Sequence, residues 1–91
     1  MPVTISIPTA LRQFTGGTSR IEVEATTAAE ALNRLTLVHA ELRRHLYDDQ
    51  KSLRSFVNVY VNDEDVRHHS GGNTPIKDGD TMTIEIGRAH V

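Results

Sequence analysis

From Ala28 to Leu46 the apolar residues Ala28, Ala31, Leu32, Leu35, Val38, Leu42 and Leu46 recur at helical spacing, while on both sides of that stretch they alternate with period two. A chain with one long amphipathic helix set between strands has few ways to bury both patterns. The helix must lay its apolar stripe on one face of a sheet. Thr27, followed three residues later by Glu30, fits a capping box and predicts where the helix starts. Its expected length is about four to five turns, ending near Leu46.

Val3, Ile5 and Ile7 alternate with Thr4 and Ser6 up to Pro8, which predicts a first strand. Leu11, Arg12, Gln13 and Phe14 lead into the turn-forming cluster Thr15-Gly16-Gly17-Thr18. Ile21 and Val23 then alternate with Arg20, Glu22 and Glu24, so the simplest expectation is a β-hairpin. After a polar loop from Tyr47 to Ser52, the run Phe56-Val57-Asn58-Val59-Tyr60-Val61-Asn62 carries the strongest strand signal in the chain. Val57, Val59 and Val61 share one face and belong under the helix; Phe56, Asn58 and Tyr60 share the other. Asp63-Glu64-Asp65 reads as a turn, Val66-Arg67 as a short strand, and Met82, Ile84 and Ile86 as a last strand. The order β-β-α-β-(β)-β lets the last strand lie beside the first in the sheet centre. The expected fold is α+β, a ubiquitin-like β-grasp in which a mixed sheet of four to five strands packs on one main helix. Residues 1–91 are expected to form one domain, with a flexible tail from about residue 87 to 91.

Composition narrows the functions open to such a chain. The net charge is −2 with both signs interspersed, so the electrostatic footprint of a nucleic-acid binder is missing. There is no cysteine, which excludes disulfides, thiolate metal sites, iron–sulfur clusters and a cysteine nucleophile. No stretch approaches a membrane span, and the expected compartment is the cytoplasm. A chain of 91 residues has little room for a deep catalytic cavity. The expectation is a protein that is not an enzyme and carries no cofactor.

The segments from Phe56 to Arg67 and from Ile76 to Ile84, with Val3 to Pro8, Leu11-Arg12 and Thr15-Gly16-Gly17, resemble the ubiquitin-like sulfur carriers of the ThiS/MoaD family. The likeness is greatest to the branch serving cysteine biosynthesis. It implies a carrier whose C-terminal carboxylate is adenylated by an ATP-dependent activating enzyme and converted to a thiocarboxylate. The implied second partner is a sulfur-acceptor enzyme of the cysteine-synthase type. No carrier side chain takes part; the only reacting group is the C-terminal carboxylate, here that of Val91.

The family's tail ends in Gly-Gly, which enters a narrow channel in a partner enzyme. This sequence ends Gly87-Arg88-Ala89-His90-Val91, with a bulky His90 and a β-branched Val91. Three readings stay open: a binding or regulatory β-grasp module that no longer carries sulfur, a carrier whose partner accepts a bulkier tail, and a precursor trimmed to Gly87.

Partner contacts are expected from Phe56, Tyr60 and Arg67 on the sheet face opposite the helix, together with tail residues Gly87, Arg88, Ala89, His90 and Val91. The competing reading is that the loop before residue 53 folds over the two rings as a minor core. His68 and His69 beside Asp63, Glu64 and Asp65 read as solvated loop residues rather than metal ligands, because adjacent strand residues point to opposite faces. His39 and His45 superficially resemble a zincin helix, but six residues on a helix set the rings well apart. No metal site is expected.

Overall fold

The computed structural model describes residues 2–50, 52–66 and 71–87. Five strands form one sheet in the order β2-β1-β5-β3-β4, where β1 is Val3–Ser6, β2 Arg20–Val23, β3 Val57–Val61, β4 Glu64–Asp65 and β5 Thr81–Ile86. β1 and β5 run parallel at the centre, and the remaining pairs are antiparallel. The parallel pair requires a crossover, and α1 (Ala28–Val38) supplies part of it on one face of the sheet. This is the β-grasp arrangement expected from the element order.

β1, β2, β3 and β5 are apolar on one side only. Val3, Ile5, Val57, Val59, Val61, Met82 and Ile84 point into the core with Ala28, Ala31, Leu32 and Leu35 of α1, all of them buried. The alternation in the sequence therefore selects both register and face. The N-terminus of α1 is capped as the residues suggest: the Thr27 hydroxyl accepts from the Glu30 N–H at 3.2 Å. The Glu30 carboxylate reaches one residue further back than in the usual box, accepting from the Thr26 N–H at 2.6 Å and the Thr26 hydroxyl at 3.2 Å.

Four expectations need correction. The hairpin between β1 and β2 is present, but Leu11 to Phe14 lies in a 3₁₀ helix, Thr9–Phe14, that tucks Leu11 into the core. The single helix over 28–46 is two helices, α1 and α2 (Leu42–Leu46), separated at His39, Ala40 and Glu41. A straight helix over that range would run about 28 Å, longer than the ~20 Å of a six-residue strand. Breaking it keeps Leu42 and Leu46 over the sheet, where both are wholly buried, and leaves Val38 71% exposed.

The turn after β3 falls at Asn62 and Asp63, whose φ angles of 50° and 76° suit a two-residue hairpin. Asn tolerates that conformation, and its side-chain oxygen accepts from the Thr81 N–H at 3.0 Å, tying the turn to the start of β5. The short strand therefore comes at Glu64–Asp65, two residues earlier than Val66-Arg67, and Val66 is a core residue. The fourth correction concerns Phe56. It sits in a turn ahead of β3 and not on the strand beside Tyr60.

Candidate functional site

Two features stand apart from the helix-covered core: the uncovered face of the sheet and the point where the chain leaves β5. Register defines the first. Opposite the core-facing residues lie Thr4 and Ser6 on β1, Arg20 and Glu22 on β2, Asn58 and Tyr60 on β3, and Thr81, Thr83 and Glu85 on β5. Tyr60 pairs with Thr83 on one side and Asp65 on the other, and is half-buried. It is an aromatic ring on an otherwise hydroxyl-rich and charged surface, the kind of amphipathic anchor that interfaces favour.

The second feature is set by backbone bonding. The Gly87 N–H donates to the Phe56 carbonyl at 2.7 Å, closing the β3–β5 ladder one residue beyond Ile86. A Cβ at Gly87 would meet the Phe56 carbonyl oxygen at 3.5 Å and the Asn58 side-chain nitrogen at 3.6 Å, ordinary contact distances. The fold itself does not demand glycine there. The expected contacts Arg67, Arg88, Ala89, His90 and Val91 lie outside the described residues, as do His68 and His69.

Beside this exit is a groove of about 540 Å³. Leu11 and Phe14 of the 3₁₀ helix, Phe56 and Ile86 form its apolar lining, and Arg44, His45 and Arg54 contribute polar walls. Phe56 therefore belongs to the foot of the tail, with 37% of its surface exposed. Phe14 and His45 stack with ring centroids 4.2 Å apart. The His45 Nε2 is buried without a hydrogen-bond partner. Such an orphan carries a cost of about 1–3 kcal/mol. The sequence does not reveal this groove, because its pattern places Phe14 in a hairpin and His45 in one longer helix. No spacing rule connects residue 14 with residues 45 and 86.

A second, wider cleft of about 610 Å³ lies by the α1–α2 break. Arg43, Arg44 and Arg54 line it together with Glu41, Asp48 and Asp49, so its fixed charges balance. Arg43 donates to the buried Thr36 hydroxyl at 3.2 Å, and Arg44 pairs with Glu41 at 2.9 Å. Burial pushes the half-buried Tyr47 phenol upward, and the positive charge of Arg43 offsets part of that rise. At the turn before β5, the Asn62 side chain and the Lys77 backbone N–H hold the Asp80 carboxyl below its usual range. Among the described residues no group of three or more His, Asp or Glu side chains is placed to hold a metal ion. His39 is the first residue of the helix break and His45 lies in α2 beyond it.

A parallel central strand pair, a helix covering one face, an uncovered face and a chain end leaving the central strand together define a ubiquitin-like β-grasp protein. The chain belongs to the ThiS family, whose family model matches residues 5–84. It is 42% identical over 86 residues to the sulfur carrier protein CysO of Mycobacterium tuberculosis and of Mycobacterium bovis, covering 92% of each chain.

The crystal structure of the Amycolatopsis orientalis BexX/CysO complex contains a chain that superposes with a TM-score of 0.88 at 43% identity, covering 98% of this chain and 99% of that one. Mycobacterium tuberculosis CysO superposes at 0.87 with 40% identity, covering 94% and 99%. The small archaeal modifier protein 1 of Methanosarcina acetivorans, at 24% identity and a TM-score of 0.86 over 99% and 96%, shares the fold. Among the described residues no helix is long and apolar enough to cross a membrane.

Proposed function

We propose that this protein is a sulfur carrier that acts through its C-terminal carboxylate, with an ATP-dependent activating enzyme and a sulfur-acceptor enzyme of the cysteine-synthase type as its partners. The observation that carries the reading is the near full-length likeness to proteins named as sulfur carriers, combined with a chain that leaves the central strand of the sheet at Gly87.

The chemistry follows from the weakness of a carboxylate as an electrophile. One carboxylate oxygen attacks the α-phosphorus of ATP and pyrophosphate departs, leaving a mixed anhydride with AMP. Hydrosulfide then attacks the carbonyl carbon. The carbon–oxygen bond to AMP breaks and a proton is released, which leaves the thiocarboxylate. The protein's own task is positional: the sheet holds the base of the tail while a partner docks on the open face, so that the reacting carbonyl is delivered to a known place. Tyr60 anchors that face, and Gly87 to Val91 occupy the partner's channel. The side chains of His90 and Val91 require a wider channel than a Gly-Gly tail does.

Intact mass spectrometry after incubation with ATP, sulfide and the activating enzyme tests this, since thiocarboxylation exchanges one oxygen for sulfur. The expected result is that exchange, mapped to the C-terminal peptide. An unchanged mass in a chain that still captures its activating enzyme would select the non-carrying module instead.

A further inference from the structure

We infer that the outer edge of β2 is a pairing edge for a second copy of this chain, which adds its own β2 antiparallel across a two-fold axis at Ile21 and joins the two sheets into one. Nothing in this pairing depends on the sulfur-carrier reading.

Hydrogen-bond alternation exposes the edge. Among the described residues β2 lies at the end of the sheet and has β1 as its one neighbour. The Ile7 N–H donates to the Ser19 carbonyl at 2.8 Å, which fixes Ile7 with Ser19, Ile5 with Ile21 and Val3 with Val23 as the bonded pairs of that ladder. The backbone N–H and C=O groups of Arg20 and Glu22 therefore point away from β1, and no other backbone among the described residues bonds to them. The usual devices that blunt an edge are missing, since β2 has no proline, no lysine and no residue with positive φ.

Charge selects both the occupant and the register. An antiparallel neighbour sets its own outward-pointing residues against Arg20 and Glu22. With the axis at Ile21, Arg20 faces the partner's Glu22 and Glu22 faces the partner's Arg20, two opposite-charge pairs on the uncovered face of the sheet. Moving the axis by one residue in either direction confronts Glu22 with the partner's Glu22, or Arg20 with the partner's Arg20, and like charges directly opposite repel. Both side chains are exposed and, among the described residues, hold no ion pair that the second copy would have to break.

Ile21 completes the match. It is only partly buried at the margin of the core. On the axis it meets the partner's Ile21 as a non-hydrogen-bonded pair, the geometry that brings side chains closest, on the helix-covered side of the sheet. Arg20-Ile21-Glu22 is thus complementary to itself read backwards, a property that a second copy supplies and an unrelated strand does not. The contact is small, about four backbone hydrogen bonds and the two charge pairs, so the expected Kd lies in the high micromolar to millimolar range. Tyr60 is three strands away from the edge, about 14 Å, and stays open in both copies.

Sedimentation equilibrium and amide NMR of the full-length protein from about 0.05 to 2 mM, a range that brackets a weak small-interface pair, should show the mass rising toward a dimer with shifts at Arg20, Ile21 and Glu22. Arg20→Glu and Glu22→Arg each place like charges across the axis, and each should weaken self-association by about tenfold or more. Mixed in equal amounts, the two variants regain both opposite-charge pairs and should associate as the wild type does, and the chain carrying both exchanges should do so alone. All three variants should melt like the wild type in dilute solution, because the exchanged side chains are exposed.

A constant monomer mass across that range, association that ignores both exchanges, a mixture no tighter than its components, or shifts gathered at Leu37 and Val38 or around Tyr60 would each overturn the pairing. Shifts at β2 that appear only when the activating enzyme is added would overturn the second copy as occupant and give the edge to a strand of that enzyme. None of these outcomes turns on whether the tail gains sulfur, so the pairing and the carrier reading stand or fall separately.

Discussion

Val38 and Leu42 lie on the same apolar stripe of the sequence, yet the structure gives them opposite environments, and paired truncation to alanine measures that difference. Leu42 is wholly buried in the core cluster, whereas Val38 is 71% exposed at the last turn of α1. Leu42→Ala removes transfer free energy and leaves a cavity between α2 and the sheet, for an expected loss of about 3 kcal/mol within the 2–5 kcal/mol range of such changes. For a domain of this size each kcal/mol lowers Tm by roughly 4–8 °C, so the melt should fall by ~12–24 °C. Val38→Ala removes atoms already in water and should stay within about 0.5 kcal/mol of the parent.

Thermal and urea unfolding, followed by circular dichroism, read both variants, with the urea slope checked so that only stability has changed. Equal losses for the two variants would mean that the helix continues through His39 and that its inner stripe is buried along its full length. A Leu42→Ala loss below about 0.5 kcal/mol would show that α2 does not close the core.

The helix cap provides a second measurement. Thr27→Ala should cost about 1 kcal/mol through the lost acceptor for the Glu30 N–H. The backbone N–H and hydroxyl of Thr26, with a smaller contribution from Arg34, hold the Glu30 carboxyl below its ordinary value. Its stabilising effect is thus complete above the unfolded glutamate pKa and is lost as pH falls through the lower folded value. The stability gap between wild type and Glu30→Gln should close on acidification, and a gap independent of pH would refute the assignment. Gly79 has φ +89° and Gly87 has no such requirement. Gly79→Ala should lose about 1–2 kcal/mol in unfolding assays, while Gly87→Ala should melt within about 0.5 kcal/mol of the parent. Tyr60→Ala should weaken capture of the activating enzyme by about 2 kcal/mol without unfolding the domain; lower thermal stability with unchanged affinity would place the ring in a minor core instead.

Local rules reach part of this molecule. Period-two alternation at Val3–Ile7, Val57–Val61 and Met82–Ile86, the helical spacing after Thr27 and the Thr-x-x-Glu cap each act within a few residues, so the strands, their buried faces and the start of α1 are legible without coordinates. The sulfur-carrier likeness is legible in the same way, because its motifs are contiguous. The helix break carries no Gly or Pro to announce it. It reflects the length of the sheet the helix must cover, a property that exists only once five strands have paired. The groove at Gly87 is further from sequence still, since Phe14, His45, Phe56 and Ile86 meet only after a 3₁₀ turn, a second helix and two strand ends converge. The amino-acid pattern by itself determined which side of each element avoids water; where each element stops, and which side chains then share an end of the sheet, was decided by packing finite pieces over a common core.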